Sequence, residues 1–376
     1  MTLKLFHCAD LHLSRAERDY GFAVLEELVY HCRRLQADAW VLCGDIFDTH
    51  EDALALAPDF HRYLGELGDL PVVMIPGNHE RSGGKPLESL APLAQEAAPG
   101  FRLALEAPCA LLRPDGLEAE LLAVPFQPDY SAYPEWAVPA RERRWRIGLL
   151  HGVVNGLTYT GQSEESEHAV IEGDLFSRFG LHYAALGHIH ARGEARQGDC
   201  LAHYPGSARV WRRGEEGPRQ ATLVVLDDAG VRAEPTVLQA AGVFRAVAVN
   251  LDERGAPLGH ESPQALLESL EAQHGPQDWL RLELSGFVER RTLAEALQRQ
   301  LERGAAGRFR RFEVELGEGL VEAERLRDHP LVRSFDAQWR QRYTLARETG
   351  DAEETALLER ARRLALQQIH ERLQET

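Results

Sequence analysis

His188 and His190 stand two residues apart behind a glycine in the stretch YAALGHIHARGEA, Tyr183 to Ala195. Residues i and i+2 of an extended chain point to one face, so both imidazoles can aim into one cavity where a strand ends. That is the geometry of a metal site, although a His-x-His pair alone is more often a surface turn. Other segments carry the same residue types. CADLHL holds Asp10 and His12, GDIFDTH holds Asp45 and Asp48, PGNHE holds Asn78, His79 and Glu80, and LLHGV holds His151. Singly, these motifs have ordinary readings as a helix cap, a turn and a loop bend. Taken together, imidazole, carboxylate and amide oxygen suit borderline divalent ions such as manganese, iron or zinc, rather than the all-oxygen shell that calcium prefers. The candidate ligands Asp10, His12, Asp45, Asn78, His151, His188 and His190 suffice for two open sites if Asp45 bridges, whereas one tetrahedral zinc needs only about three or four.

Short buried strands must position these groups. Apolar runs at Leu3–Ala9, Ala39–Cys43, Val72–Ile75, Leu121–Val124, Ile147–Leu150 and Tyr183–Leu186 read as strands, and ATLVVLD adds Ala221–Asp227. Helical patterns at Phe22–Leu35, Leu87–Ala97 and His168–Phe179 alternate with them, which predicts an α/β layered domain. The candidate ligands follow five of the strands. In open α/β sheets, loops converge beyond the carboxyl ends of the strands, so the arrangement predicts one shared site.

Composition sets the bounds. A chain of 376 residues, 44% hydrophobic and 27% charged, can bury a substantial core and divide into domains. No apolar run approaches the roughly 18 residues of a membrane span, and MTLKLFHCAD lacks the regions of a signal peptide, so a cytoplasmic protein with no membrane partner is expected. Five widely spaced cysteines read as reduced thiols, not a disulfide framework. A formal charge of −17 argues against a generally cationic nucleic-acid coat, but carboxylates gathered on metal ions would be neutralised locally, so DNA is not excluded.

The ordered motifs Asp-x-His, Gly-Asp-x-x-Asp, Gly-Asn-His-Glu, His and Gly-His-x-His resemble those of the calcineurin-like metallophosphoesterase superfamily. The resemblance implies a two-sheet sandwich flanked by helices, with a water or hydroxide between two metal ions attacking a phosphorus ester. By the family pattern one ion would take Asp10, His12, Asp45 and His190, and the other Asp45, Asn78, His151 and His188. His79 would be the catalytic histidine, serving the leaving alkoxide. Asp48 stands where archaeal and eukaryotic members have a second active-site histidine, and it would hold a ligand or His79 in place.

Three features resemble the SbcD-like DNA repair nucleases and the YhaO-type proteins near them. VPFQPDY (Val124–Tyr130) precedes the His151 strand, as a Pro-Phe-x-x-Pro-like segment does in that family, and Tyr204–Ser207 resembles its Tyr-Pro-Gly-Ser turn. The third feature is the rest of the chain. FRAVAVNL, WLRLELSGF and FRRFEVELG read as strands separated by helices at Pro263–Gln273, headed by Ser262, and Leu293–Arg303, headed by Thr292. This gives a β-α-β-α-β capping module, with Gly230–Ala241 as the joint before it. Between Arg281 and Arg311 lie eight arginines against four glutamates, which could contact DNA phosphates or simply form a solvated face of i to i+4 ion pairs. From Leu320 the chain reads as helices, with Leu358, Ala361, Ala365, Ile369 and Leu373 on one side.

The resemblance therefore implies three domains. Residues 1–239 would be the nuclease domain, 240–317 a small α+β capping domain, and 318–376 a C-terminal helical segment docking an SMC-like ATPase of the SbcC or YhaN type. It implies a homodimer with two Mn2+ ions per chain, acting as 3'-to-5' exonuclease and endonuclease on double-stranded DNA ends and single-stranded DNA. No Gly-x-x-x-x-Gly-Lys-(Ser/Thr) loop occurs in the sequence, so ATP dependence would come from the partner. The alternatives are a small-molecule or cyclic-nucleotide phosphodiesterase of the same superfamily, and a DNA-end-binding scaffold.

Overall fold

The computed structural model describes residues 2–95, 97–155, 170–322, 329–349 and 351–374. The chain divides into two compact units, Met1–Val243 and Phe244–Thr376. In chain order the first unit contains β1 (Leu3–Cys8), β2 (Ala39–Cys43), β3 (Val72–Ile75), β4 (Phe101–Leu103), β5 (Ala110–Leu112), β6 (Ala119–Ala123), β7 (Trp145–His151), β8 (Val153–Val154), β9 (Val170–Ile171), β10 (Tyr183–Gly187), β11 (Gly193–Gln197), β12 (Cys200–Tyr204), β13 (Gln220–Asp227) and β14 (Gly230–Val237). Its helices are α1 (Arg18–Arg34), α2 (His50–Leu64) and α3 (Asp174–Arg178).

Two six-stranded sheets form, in the orders β14-β13-β1-β2-β3-β4 and β11-β12-β10-β7-β6-β5. Both are covered on both faces, which is why their central strands read as continuous apolar runs. The pleat still sorts the side chains. In β1, Leu3 and Leu5 join the inter-sheet core with Val41, Val73, Ile147 and Leu149, while Phe6 and Cys8 face the helices. α1 meets that outer face with Phe22, Leu25, Leu28, Val29 and Cys32, spaced for one side of a helix. Across the other sheet, Leu122, Leu150, Ala184 and Leu186 pack with Leu175, Phe176 and Phe179. This is the mixed α/β architecture, two multi-stranded sheets with flanking helices, that the sequence predicts.

β1, β2 and β3 run parallel in one sheet, and β7 and β10 run parallel in the other. Their carboxyl ends carry the five motifs. A buried ion pair braces the strand before His151. Glu120 on β6 accepts from Arg146 Nε at 2.6 Å, while the other Arg146 nitrogens donate to the carbonyls of Phe179 and Pro139. Glu120 is fully buried and Arg146 almost so. Glu120→Ala strands that guanidinium and should lower unfolding free energy by about 3–5 kcal/mol in a denaturant titration; a change under about 1 kcal/mol would mean the pair behaves as an exposed one.

Several expectations change. The segment predicted as a helix at Leu87–Ala97 is a 3-10 helix, Leu87–Ala94, with Pro86 before it and Pro92 inside it. The predicted helix at His168–Phe179 begins in residues outside those described; within them the chain forms β9 and then α3. Gly230–Ala241 is not simply a joint. Its first eight residues form β14, paired antiparallel with β13 along their length. Thr49 caps α2, its hydroxyl accepting from Asp52 N at 3.0 Å, and Pro58 interrupts the pattern that would have marked this helix in the sequence.

The second unit is β15 (Phe244–Leu251), α4 (Pro263–Gln273), β16 (Trp279–Val288), α5 (Arg291–Gly304) and β17 (Arg311–Glu322), followed by α6 (Pro330–Glu348) and α7 (Ala352–Gln374). The three strands are parallel, in the order β15-β16-β17. Leu280, Leu282 and Leu284 are fully buried, as their alternation requires. Ser262 caps α4, accepting from Ala265 N. α5 starts two residues earlier than expected, so Thr292 lies inside it and Arg290 takes the cap place. Several arginines of the basic segment have carboxylate partners: Arg281 with Glu315, Arg291 with Glu295, Arg308 with Glu271. β17 continues to Glu322, so Leu320 and Val321 are strand residues rather than the start of the helical tail. Leu366 packs with Phe287, Val321 and Val332, and Ile369 sits beside them. Arg362 makes a two-pronged bond to Asp336, at 2.8 and 3.1 Å, that ties α7 to α6. The Leu373 side chain lies outside those described. No described helix is long and apolar enough to cross a membrane.

Candidate metal centre

The strand ends bring all seven candidate ligands together with His79 and Asp48. Among the described residues three groups of imidazole and carboxylate atoms converge: Asp10, His12 and His190 in one, Asp45, His151 and His188 in another, and His12, Asp48 and His79 in a third that shares His12 with the first. Asn78 joins the second, its Oδ1 lying 3.0 Å from His151 Nε2 and 3.1 Å from His188 Nδ1. Asp45 Oδ2 stands 3.3 Å from His151 Nε2.

Backbone strain marks the same places. Five described non-glycine residues have positive φ: Asp10, His12, Asp45, His188 and Gln36. Four of the five are candidate ligands, in a left-handed conformation that disfavours side chains and persists where the surroundings over-determine it. The loops also press close. A Cβ on Gly77 would meet Asp45 Oδ1 at 2.1 Å, and one on Gly187 would meet the Cys43 carbonyl at 1.8 Å, so glycine is required for both approaches.

Glu80 explains how the second and third loops hold together. Its carboxylate is fully buried and accepts from the backbone N–H of Asp45 (3.0 Å), Phe47 (2.8 Å) and Gly77 (2.8 Å). It therefore braces the Asp45 loop against the Asn78 loop instead of touching the His79 ring. Burial, and then the Asp45 charge, pushes its carboxyl up to about 7 against the pull of these donors. Tyr130, from the VPFQPDY segment, donates to the His151 carbonyl at 2.8 Å, and Tyr204, from the Tyr-Pro-Gly-Ser turn, donates to the next carbonyl, Gly152, at 2.7 Å. Both segments thus have a local role in setting the His151 loop.

The donor set fits a cation. His151 Nδ1–H donates to the Cys43 carbonyl at 2.8 Å, which leaves Nε2 as a lone pair facing two oxygens, Asp45 Oδ2 and Asn78 Oδ1. A proton or a metal ion must lie among them. Burial opposes charge on Asp45, yet the neighbouring imidazole holds its carboxyl well below the ordinary range, and the same contact overcomes burial to lift His151 to about 9. Burial pushes Asp10 up to about 6. In the other group, His190 Nδ1–H donates to Glu215 at 2.5 Å, so its Nε2 lone pair turns toward His12 Nε2, 3.2 Å away. Paired lone pairs in a buried site are the arrangement a divalent ion resolves, with carboxylate-held imidazole as its usual support.

His79 is placed differently. Its backbone N–H donates to Asp45 Oδ1 at 2.9 Å, and its Nδ1–H donates to the backbone carbonyl of Asp48 at 2.8 Å. Nε2 is then the atom free to exchange a proton. The Asp48 carboxylate lies 3.5 Å from His12 Nδ1 and 3.8 Å from His79 Nδ1, beside both rings. A cavity of about 600 Å3 opens here, lined by Asn78, His79 and His190 together with Arg192, Arg212 and Arg213.

Two contributors, Trp211 and Glu215, are absent from the sequence expectations. Trp211 stacks flat on His12, with ring centroids 4.0 Å apart and 6° between planes. Glu215 lies 25 residues beyond His190 in a charged turn, WRRGEEGPR, whose composition gives no local sign of the contact.

Residues 3–192 match the calcineurin-like phosphoesterase family. Among curated proteins, the uncharacterized metallophosphoesterase YhaO of Bacillus subtilis is 26% identical over 257 residues, 62% of this chain and 59% of that protein. An SbcCD nuclease subunit of Bacillus subtilis is 26% identical over 261 residues, 59% of this chain and 66% of that protein. The DNA double-strand break repair protein Mre11 of Aeropyrum pernix is 26% identical over 224 residues, 54% of this chain and 53% of that protein. The matches thus span between about half and two thirds of each relative.

Proposed function

Since the chain belongs to the calcineurin-like phosphoesterase family, we propose that it is a manganese-dependent DNA nuclease that hydrolyses phosphodiesters near DNA ends, as exonuclease in the 3'-to-5' direction and as endonuclease. The observation that carries this reading is the pair of ligand groups opening, beside His79, on one arginine-bearing cavity. In this proposal Asp10, His12, Asp45 and His190 hold one ion, and Asp45, Asn78, His151 and His188 hold the other. Two ions bound there would lower the pKa of a water and neutralise phosphate oxygens on the entering and leaving sides. His79, tethered at Nδ1, delivers a proton from Nε2 to the leaving alkoxide. Asp48 keeps the His79 and His12 rings in register. Arg192, Arg212 and Arg213 supply positive charge for phosphates flanking the scissile one. The relatives named as a nuclease subunit and a break-repair protein support DNA as the substrate.

Digestion of end-labelled duplex and single-stranded DNA with Mn2+, set against nitrophenyl phosphodiesters and cyclic nucleotides, tests the reading. Faster cutting of DNA, with label released in 3'-to-5' order, is expected. Preference for the small esters would transfer the site to the small-molecule alternative.

The reading extends to an assembly: a cytoplasmic homodimer whose residues 240–317 cap the DNA and whose residues 318–376 dock an SMC-like ATPase. One relative is by name a subunit of SbcCD, which supports a partner. The tail exposes apolar side chains other than the stripe expected from spacing. Leu357 and Leu364 on α7 are 65% and 56% exposed, whereas Leu366 is buried and Ile369 half-buried against its own unit. The docking test therefore changes Leu357 and Leu364 to aspartate, sparing the cluster around Phe287. Affinity for the ATPase should fall roughly 30-fold or more, measured by co-purification and titration, with Mn2+-dependent cutting by the isolated chain retained. Unchanged affinity would remove the tail from the interface.

A further inference from the structure

The segment from Arg209 to Arg219 follows the Tyr-Pro-Gly-Ser turn and is anchored at both ends. At its start, Arg209 donates to Glu17 at 2.9 Å and Val210 N donates to Tyr20 Oη at 3.1 Å. At its end, Arg219 donates to Ser207 Oγ at 3.0 Å and to the Glu216 carbonyl at 2.7 Å. Between the anchors one carboxylate does two separate things. Glu215 Oε2 accepts from the backbone N–H of Trp211 (2.8 Å) and Arg212 (3.1 Å), closing the strap into a tight loop. Its Oε1 takes the Nδ1–H of His190 at 2.5 Å. Trp211, held by the first contact, lies flat on His12, and the Arg212 guanidinium lies 4.1 Å from the indole centroid.

We infer that Glu215 is a positioning residue that sets the His190 tautomer and, through Trp211, the plane of the His12 ring, so that it controls ion affinity in the Asp10–His12–His190 half of the centre and leaves the other half to its own supports. The inference rests on the metal-centre reading. The chemistry is asymmetric. With Nδ1 protonated by its bond to Glu215, His190 offers only Nε2 to a ligand, and the partner ring it faces, His12, cannot swing away because Trp211 covers its face. In the other half, the Cys43 carbonyl performs the tautomer-fixing task for His151, and Glu80 braces the Asp45 loop. Those two supports do not pass through the strap. A carboxylate serving only as loop glue would need its Oε2 contacts; the second oxygen on His190 adds nothing to loop closure and everything to the imidazole.

The test is titration of the full chain with Mn2+ alone, free ion being read by electron paramagnetic resonance and Trp211 by fluorescence quenching. Wild type should bind two ions, one of them quenching. Glu215→Ala should bind one ion with wild-type affinity and the second about 10- to 100-fold more weakly, with quenching displaced to the weak phase. Glu215→Gln covers the case in which the alanine variant fails to fold. Its amide can accept at only one of its two ends, so either the loop contacts or the His190 contact is lost, and the same split is expected. Trp211→Phe should abolish the quenching while the first ion still binds with wild-type affinity. Two ions bound at wild-type affinities in both Glu215 variants would overturn the inference, as would equal weakening of both ions. Absence of Mn2+ uptake by wild type would instead overturn the metal-centre reading itself.

Discussion

Asp45→Ala should lose its metal ions and its turnover together, with the rate falling by more than about 1000-fold, beyond the loss usual for one electrostatic contact in an active site. Asp45 is the carboxylate proposed for both ions, and no neighbour can replace it. Its Oδ2 faces His151 at 3.3 Å, its Oδ1 accepts from the His79 N–H at 2.9 Å, and its loop is pinned by Glu80. Removing the carboxylate therefore leaves His151, His188 and Asn78 without a carboxylate ligand in their own group, Asp10, which accepts from the His188 N–H, being the neighbouring anion that remains. Asp45→Asn separates charge from shape, because its amide oxygen can still accept from His79. It should lose metal nearly as completely. Elemental analysis of the purified variants checks this, and two ions retained in either variant would show that Asp45 is not the bridge.

His79→Ala should behave in the opposite way, keeping metal while turnover falls about 100- to 10,000-fold, the range for a lost general acid. Its ring meets the His12 ring edge-on at 4.6 Å, but its Nδ1 is committed to the Asp48 carbonyl, so its loss removes a proton donor and leaves the Asp10–His12–His190 and Asp45–His151–His188 groups whole, disturbing only the group it forms with His12 and Asp48. The choice of ester sharpens the result. An alkoxide leaving group needs the proton, whereas nitrophenolate leaves without it, so the deficit should be large on DNA and small on a nitrophenyl phosphodiester. Equal deficits on both substrates, or loss of metal, would assign His79 to structure or to ligation instead.

Much of this site is legible in the chain because its residues sit on short local motifs. Asp10 and His12, Asp45 and Asp48, Asn78 and His79, His188 and His190 each follow a buried strand within a few residues, and the parallel order of those strands places them at one edge. Supports that act across the fold leave no such trace. Glu215 reaches His190 only after the strap doubles back, and Trp211 covers His12 from 199 residues away in the sequence. Glu80 is visible beside His79, but its three backbone partners lie on two different loops, so its bracing role depends on how those loops meet. The fold shows the same division. β1, β2, β3 and β10 are short, mostly apolar, buried runs and stand out, whereas β11 is a polar edge strand, GEARQ, and β14 alternates around Pro235, so neither carries a clear run. The apolar stripe of α7 is misplaced by spacing alone because Arg362, a charged residue, is among its buried positions, neutralised by Asp336.

The central claim is that two ions share Asp45 between the strand ends. An anomalous difference map collected at the manganese absorption edge, from crystals soaked in Mn2+, reads it directly. Two peaks per chain are expected, one among Asp10, His12, Asp45 and His190 and the other among Asp45, Asn78, His151 and His188. A single peak, or peaks away from these residues, would contradict the claim.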